Sequence, residues 1–126
     1  MATKKLHVGV VDDNRSVAEI ITEILGGRDF VCYDAYDGRG AIDLCRAHDL
    51  DLLILDYLLP DLNGLEVVRR LEAAGKRIPT LIITAASEEP PGGWSKAPLV
   101  CGVVRKPFTG GELRRMVAEV TGRELP

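Results

Sequence analysis

Apolar and polar positions alternate along this chain in two different rhythms. Short continuous apolar runs, Leu6 to Val11, Asp51 to Leu55, Thr80 to Ile83 and Gly102 to Arg105, read as strands of a parallel sheet covered on both faces. A further strand, Phe30 to Ala35, is the most polar of the set, which suits a sheet edge. Between them lie stretches of helical period. Asn14 to Leu25 carries Val17, Ile20, Ile21 and Ile24 at helical spacing, and Gly26-Gly27 ends it. Arg39 to Ala47 follows the Asp37-Gly38 turn. Leu65 to Ala74 offers Leu65, Val68 and Leu71 to a core and stops at Gly75. The last helix, Thr109 to Thr121, opens on Thr109 with Glu112 three residues on, a capping-box spacing, and carries the stripe Leu113, Met116, Val117 and Val120.

One place breaks the rhythm. The alternation demands a helix between Ser87 and Val100, but Pro90-Pro91-Gly92-Gly93 and Pro98 fall there. A single interior proline costs a helix roughly 3 kcal/mol. At best a short turn survives around Trp94 to Ala97, and the segment should be mobile, with few packed apolar contacts. Five strands and right-handed crossovers predict a flavodoxin-like three-layer α/β sandwich, a parallel sheet of order 2-1-3-4-5 with a degenerate fourth helix.

The strand ends carry the candidate chemistry. Asp12 and Asp13 follow the first run, Asp56 the third, Thr84 the fourth and Lys106 the fifth. In an open α/β sheet the reactive groups gather outside the carboxyl ends of the strands. Strands one and three are neighbours in this order, so three carboxylates meet there. Two carboxylates about 4 Å apart repel by roughly 4 kcal/mol at an effective dielectric of 20. A hard divalent cation with oxygen ligands relieves that repulsion. Lys106 and Thr84 add an ammonium and a hydroxyl suited to a phosphoryl group, and Asp56, on a central strand, is the best nucleophile. Each residue has a plainer reading too: a helix cap for Asp12 or Asp13, a strand-end hydroxyl for Thr84, a solvated turn lysine for Lys106.

Composition narrows the field. The 126 residues suit one domain, here 1–126, and 46% hydrophobic content is enough for a core. With a net charge of −3, and with Arg69-Arg70 and Arg114-Arg115 on separate helices, direct nucleic-acid binding is not expected. Cys32, Cys45 and Cys101 form no CxxC pair and read as small buried hydrophobes. No apolar run reaches signal or membrane-spanning length, so a cytoplasmic protein without membrane insertion is the expectation, with monomer as the default oligomeric state.

From Lys5 to about Gly122 the chain resembles the receiver domain of two-component response regulators. The matching stretches are Val10 to Asn14, Ile54 to Gly64, Ile82 to Ala85 and Arg105 to Phe108. The resemblance implies that Asp56 accepts phosphate from a phosphohistidine. It implies that Mg2+ (or Mn2+) is held by Asp13, Asp56 and the Leu58 backbone carbonyl, with Asp12 helping through water. Thr84 and Lys106 would contact the phosphoryl oxygens, Ala85 would be the small access residue, and Lys106-Pro107 would be cis. The implied partners are a sensor histidine kinase or a histidine phosphotransfer protein, and a downstream protein target. Such a protein catalyses its own phosphorylation and is not a turnover enzyme.

The chain departs from the family at two places. An aromatic usually stands three residues before the lysine, as partner of the threonine in switching; here it is Val103. The fourth helix is missing, and Trp94 stands alone in its place, either as an anchor for the segment or a partner, or as a cover for the sheet. Leu58, two residues past Asp56, is expected to hinder water and slow hydrolysis.

Two rival readings are a receiver belonging to a hybrid histidine kinase, which the opening Met and lack of linker residues mildly oppose, and a non-phosphorylated pseudo-receiver acting as a binding module. A haloacid-dehalogenase-like phosphatase needs two aspartates separated by one residue, which Asp12-Asp13-Asn14 and Asp56-Tyr57-Leu58 do not supply. A flavodoxin needs a phosphate-cradling loop after strand one, which is missing here.

Overall fold

The computed structural model describes residues 4–86, 88–90 and 93–123. Five parallel strands, β1 (Leu6–Val11), β2 (Phe30–Ala35), β3 (Leu52–Asp56), β4 (Thr80–Thr84) and β5 (Val100–Arg105), form one sheet of order β2-β1-β3-β4-β5. Among the described residues four α-helices connect or follow them: α1 (Arg15–Leu25), α2 (Gly38–Ala47), α3 (Gly64–Ala73) and α4 (Gly110–Thr121). The order and the three layers are those the sequence predicts. The polar β2 lies at an edge, and every residue of the central β3 and of β4 is buried.

Strand alternation sorts the apolar residues onto two faces. Val8, Val10, Leu52, Ile54, Leu81 and Ile83 pack with Ala18 and Ile21 of α1 and Leu113 and Val117 of α4. Val11, Leu53, Leu55 and Ile82 pack with Ala41 and Cys45 of α2, with Leu65, Val67, Val68 and Leu71 of α3, and with Trp94. Burying a leucine or isoleucine contributes roughly 1.5–3 kcal/mol, so these paired clusters carry the fold.

Helix ends follow local chemistry. Asn14, Asp37, Asn63 and Thr109 cap the four helices through their side chains. Gly26, Gly75 and Gly122 adopt positive φ at or just past helix C-termini, where any other residue is strained.

Several expectations need correction. Asp56 and Thr84 are the last residues of their strands rather than the first beyond them, because the Tyr57 N–H bonds the Ile83 carbonyl and the Lys106 N–H bonds the Thr84 carbonyl. Ile20 is half exposed and faces away from the core; Ala18, Ile21 and Leu25 are the residues α1 buries. Only Cys45 is fully buried among the cysteines, since Cys32 is partly covered and Cys101 lies exposed on the edge strand β5. Burial pushes the Cys45 and Cys32 thiols up to about 11, with Asp34 adding to the rise at Cys32.

No helix fills the β4–β5 connection among the described residues; a 3-10 turn, Trp94–Lys96, is the only regular element there. The expectation of a poorly packed segment does not hold for its second half. Trp94 is buried, and Ala97, Leu99 and Val100 pack on the same cluster. Residues 87, 91 and 92 lie outside the described set.

Candidate functional site

The carboxyl ends of β1, β3, β4 and β5 bring the predicted residues together. Asp12 leaves β1 fully buried, and its N–H bonds the Ala35 carbonyl at 3.2 Å. Its Oδ1 accepts the Asn14 N–H at 2.9 Å, and Asn14 Oδ1 in turn accepts the Ser16 and Val17 N–H groups at 3.0 and 3.3 Å. The cap of α1 is therefore Asn14, which leaves the neighbouring aspartates available for chemistry. Asp13 is exposed.

Asp56 ends β3 and is 5% exposed. The loop after it turns sharply. Gly64 donates its N–H to the Tyr57 carbonyl at 2.7 Å, and a Cβ on Gly64 would lie 3.1 Å from both the Asp56 backbone carbonyl oxygen and the Tyr57 Cα. Glycine at this position allows that close approach. Asp61, which sequence reasoning assigned no role, pins the same loop to α2. Its carboxylate accepts the Gly38 and Arg39 N–H groups at 2.7 and 2.9 Å, and those bonds hold it below the ordinary carboxylate range. A Pro-Asp pair in a loop is only a generic turn signal, so the sequence did not reveal this tether.

Thr84 is fully buried and its Oγ1 accepts the Ala86 N–H at 3.0 Å. Lys106 follows β5, and its peptide bond to Pro107 is cis. Its ammonium spans the two buried carboxylates, 2.9 Å from Asp12 Oδ2 and 3.2 Å from Asp56 Oδ2. Oxygens of Asp12, Asp13 and Asp56 all lie within 4.8 Å of one another.

One ammonium against three carboxylates leaves the cluster negative. Burial pushes the Asp56 carboxyl above its usual value, the Asp12 charge adds to that, and Lys106 only partly offsets both. Burial works against the Lys106 charge, but its bonds to Asp12 and Asp56 outweigh it and hold the ammonium above its ordinary value. A dense, hard, oxygen-only donor set with surplus negative charge fits a small divalent cation. Leu58 donates its N–H to Asp56 Oδ1 over a long 3.4 Å, and its side chain is 61% exposed at the rim.

Ala85 is exposed and lines, with Val17, Ile20, Lys106, Pro107 and Phe108, an apolar recess of about 470 Å³ beside the lysine. Val103 is half buried on the α2–α3 face, in the same apolar cluster as Trp94 and Tyr57. Trp94 does not offer itself to a partner. It is 8% exposed and meets the Tyr57 ring edge-on, at 5.5 Å between centroids and 82° between planes. With no α-helix among the described residues to close this part of the sheet, the indole serves as the cover.

Comparison with known proteins agrees with this geometry. The chain is 41% identical to the response regulator MprA of Mycolicibacterium vanbaalenii over 80 residues, 64% of this chain and 35% of that protein. It thus matches about a third of the length of that curated relative. The fold superposes on the receiver domain of the Francisella response regulator 1452 with a TM-score of 0.82, at 22% identity over 94% of this chain and 98% of that one. It also superposes on the Vibrio cholerae chemotaxis response regulator CheY4, with a TM-score of 0.80 at 23% identity over 93% and 99% of the two chains. The family model for the response regulator receiver domain matches residues 8–118. The chain belongs to the receiver domain family of response regulators.

Proposed function

We propose that this receiver accepts a phosphoryl group on Asp56, with a divalent cation, from a phosphohistidine donor protein. The observation that carries the reading is the Lys106 ammonium bridging Asp12 and Asp56 beside a third carboxylate. In the transfer an Asp56 carboxylate oxygen forms a bond to phosphorus while the phosphorus–nitrogen bond of the donor imidazole breaks. The leaving electron pair stays on that nitrogen. Asp12, Asp13, Asp56 and the Leu58 carbonyl would hold Mg2+ or Mn2+. When bound, the cation neutralises charge on the phosphoryl oxygens and keeps Asp56 ionised.

The protein's own groups do the rest. Lys106 has to release part of its contact with Asp56 as the phosphoryl group arrives, and its charge then serves the phosphoryl oxygens. Thr84 has a hydroxyl hydrogen to donate, since its bond to the Ala86 N–H uses only an oxygen lone pair. Phosphoryl transfer depends mostly on positioning and charge stabilisation, so this short list suffices. The apolar recess next to Lys106, with half-exposed Ile20 at its edge, offers a donor protein a landing surface beside the acceptor.

A sensor kinase or phosphotransfer protein is the donor class, a downstream protein is the target, and the cytoplasm is the setting. No helix of the described residues is long and apolar enough to cross a membrane. Intact mass after incubation with acetyl phosphate and Mg2+ tests the reading. One added phosphoryl group on the wild type, lost with EDTA and in Asp56→Asn, supports it. An adduct that survives in Asp56→Asn contradicts it.

A further inference from the structure

Trp94 is the chain's single tryptophan, and it touches the residue next to the phosphoacceptor. Tyr57 lies between Asp56 and Leu58, the two positions that the proposed function gives to the cation. Its main chain is pinned on both sides, by the Ile83 carbonyl at 2.9 Å and the Gly64 N–H at 2.7 Å. Its half-buried ring is braced edge-on by the indole. The turn that delivers the indole is itself closed by N–H bonds from Lys96 to the Gly93 carbonyl and from Ala97 to the Trp94 carbonyl. Gly93 is required for it, because a Cβ there would sit 2.5 Å from the Pro90 carbonyl.

We propose that Trp94 is a positioning residue for the Asp56 site, acting through Tyr57, and that its indole in turn senses whether the site is occupied. The inference rests on the phosphoacceptor reading. The pinned main chain has little freedom to translate, so adjustment of the 56–58 segment on loading falls on rotation, which swings the Tyr57 ring against the indole edge. Val103 has no ring to respond to Thr84, whereas the Tyr57–Trp94 pair lies on the same face of the sheet and in the same cluster. Coupling of this kind is reciprocal: what braces the site must also feel its ligand.

The test uses two independent readouts on the full chain. Binding of Mn2+ is followed by the electron paramagnetic resonance of the free ion, and Trp94 emission is followed during a Mg2+ titration. The wild type should bind Mn2+ and show a saturable emission change. Tyr57→Ala should lose the emission change and bind Mn2+ roughly threefold to tenfold more weakly, the size of one aromatic pair expressed as affinity. Tyr57→Phe, which keeps the ring, should restore both. Leu71→Ala, a cavity on the same face under α3, should lower the melting temperature and leave Mn2+ affinity unchanged, which separates positioning from general destabilisation.

If Tyr57→Ala does not fold, Tyr57→Leu takes its place. Metal binding with flat wild-type emission overturns the inference, as does wild-type affinity in the ring-less variant. Absence of Mn2+ binding in the wild type overturns the cation-assisted phosphoacceptor reading itself, and the coupling with it.

Discussion

The two faces of the sheet are closed by different means. On one, α1 and α4 each lay down a helical stripe, with Ala18, Ile21, Leu25, Leu113 and Val117 buried. On the other, α2 and α3 do the same over part of the sheet, and a single indole in a three-residue turn joins them there. A helix shares its contacts among several side chains at successive turns, so the loss of one is local. A turn concentrates them in one side chain and in the glycine that lets the chain fold back. The second arrangement also places its one large side chain against the residue beside Asp56, so cover and site are joined there through a single ring pair.

Substitutions that empty each face sharpen this contrast. Trp94→Ala is expected to cost about 3–5 kcal/mol in denaturant unfolding. Leu113→Ala, on the helix-covered face, is expected near the lower end of roughly 2–5 kcal/mol, because its neighbours on α4 and α1 can close in. An equal or smaller loss for Trp94→Ala would break the comparison. Gly93→Ala should come next, at about 1–3 kcal/mol, since its Cβ meets the Pro90 carbonyl at 2.5 Å. Its cost should disappear in a Trp94→Ala background if the turn's only structural task is to deliver the indole.

The smallest effect concerns the site edge. In EDTA, Asp56→Asn should raise the melting temperature modestly at neutral pH. The sign follows from linkage. The folded Asp56 carboxyl titrates above the ordinary value of 3.8. Between that value and the raised one, the native state binds more protons than the unfolded state. Wild-type stability therefore falls as pH rises through this window. The asparagine variant lacks that loss, so its advantage should grow across the window, stay flat above it and vanish at low pH. Thermal melts at several pH values in EDTA check this.

Much of this molecule was legible in its sequence, for a physical reason. Strands buried on both faces must be apolar throughout, so Leu52 to Leu55 and Leu81 to Ile83 marked the sheet centre, and the polar residues at their ends had one edge on which to gather. The cap spacing of Thr109 and Glu112 was local enough to read directly, and the Glu112 N–H does bond the Thr109 hydroxyl at 3.1 Å. What escaped depends on direction rather than on residue type. Ile20 satisfies helical spacing yet points to the recess beside Lys106, because a wide apolar stripe has an edge that periodicity alone does not locate. Trp94 lies in a Pro/Gly stretch with no period, so anchor for a partner and cover for the sheet were equally open to its ring. Asp61's tether to α2 joins residues 22 and 23 positions apart. Such a bond is set by the packing of a loop against a helix N-terminus and leaves no local pattern.

The central claim is that Asp56 is the phosphoryl acceptor of a cation-assisted site. The most direct test is borohydride reduction of the protein after acetyl phosphate treatment with Mg2+, followed by peptide sequencing in the mass spectrometer. An acyl phosphate is reduced to the alcohol, so a phosphorylated aspartate is read out as homoserine. Homoserine is expected at position 56, only when the cation is present, and at neither Asp12 nor Asp13. Homoserine at another aspartate, or at position 56 with equal yield in EDTA, would contradict it.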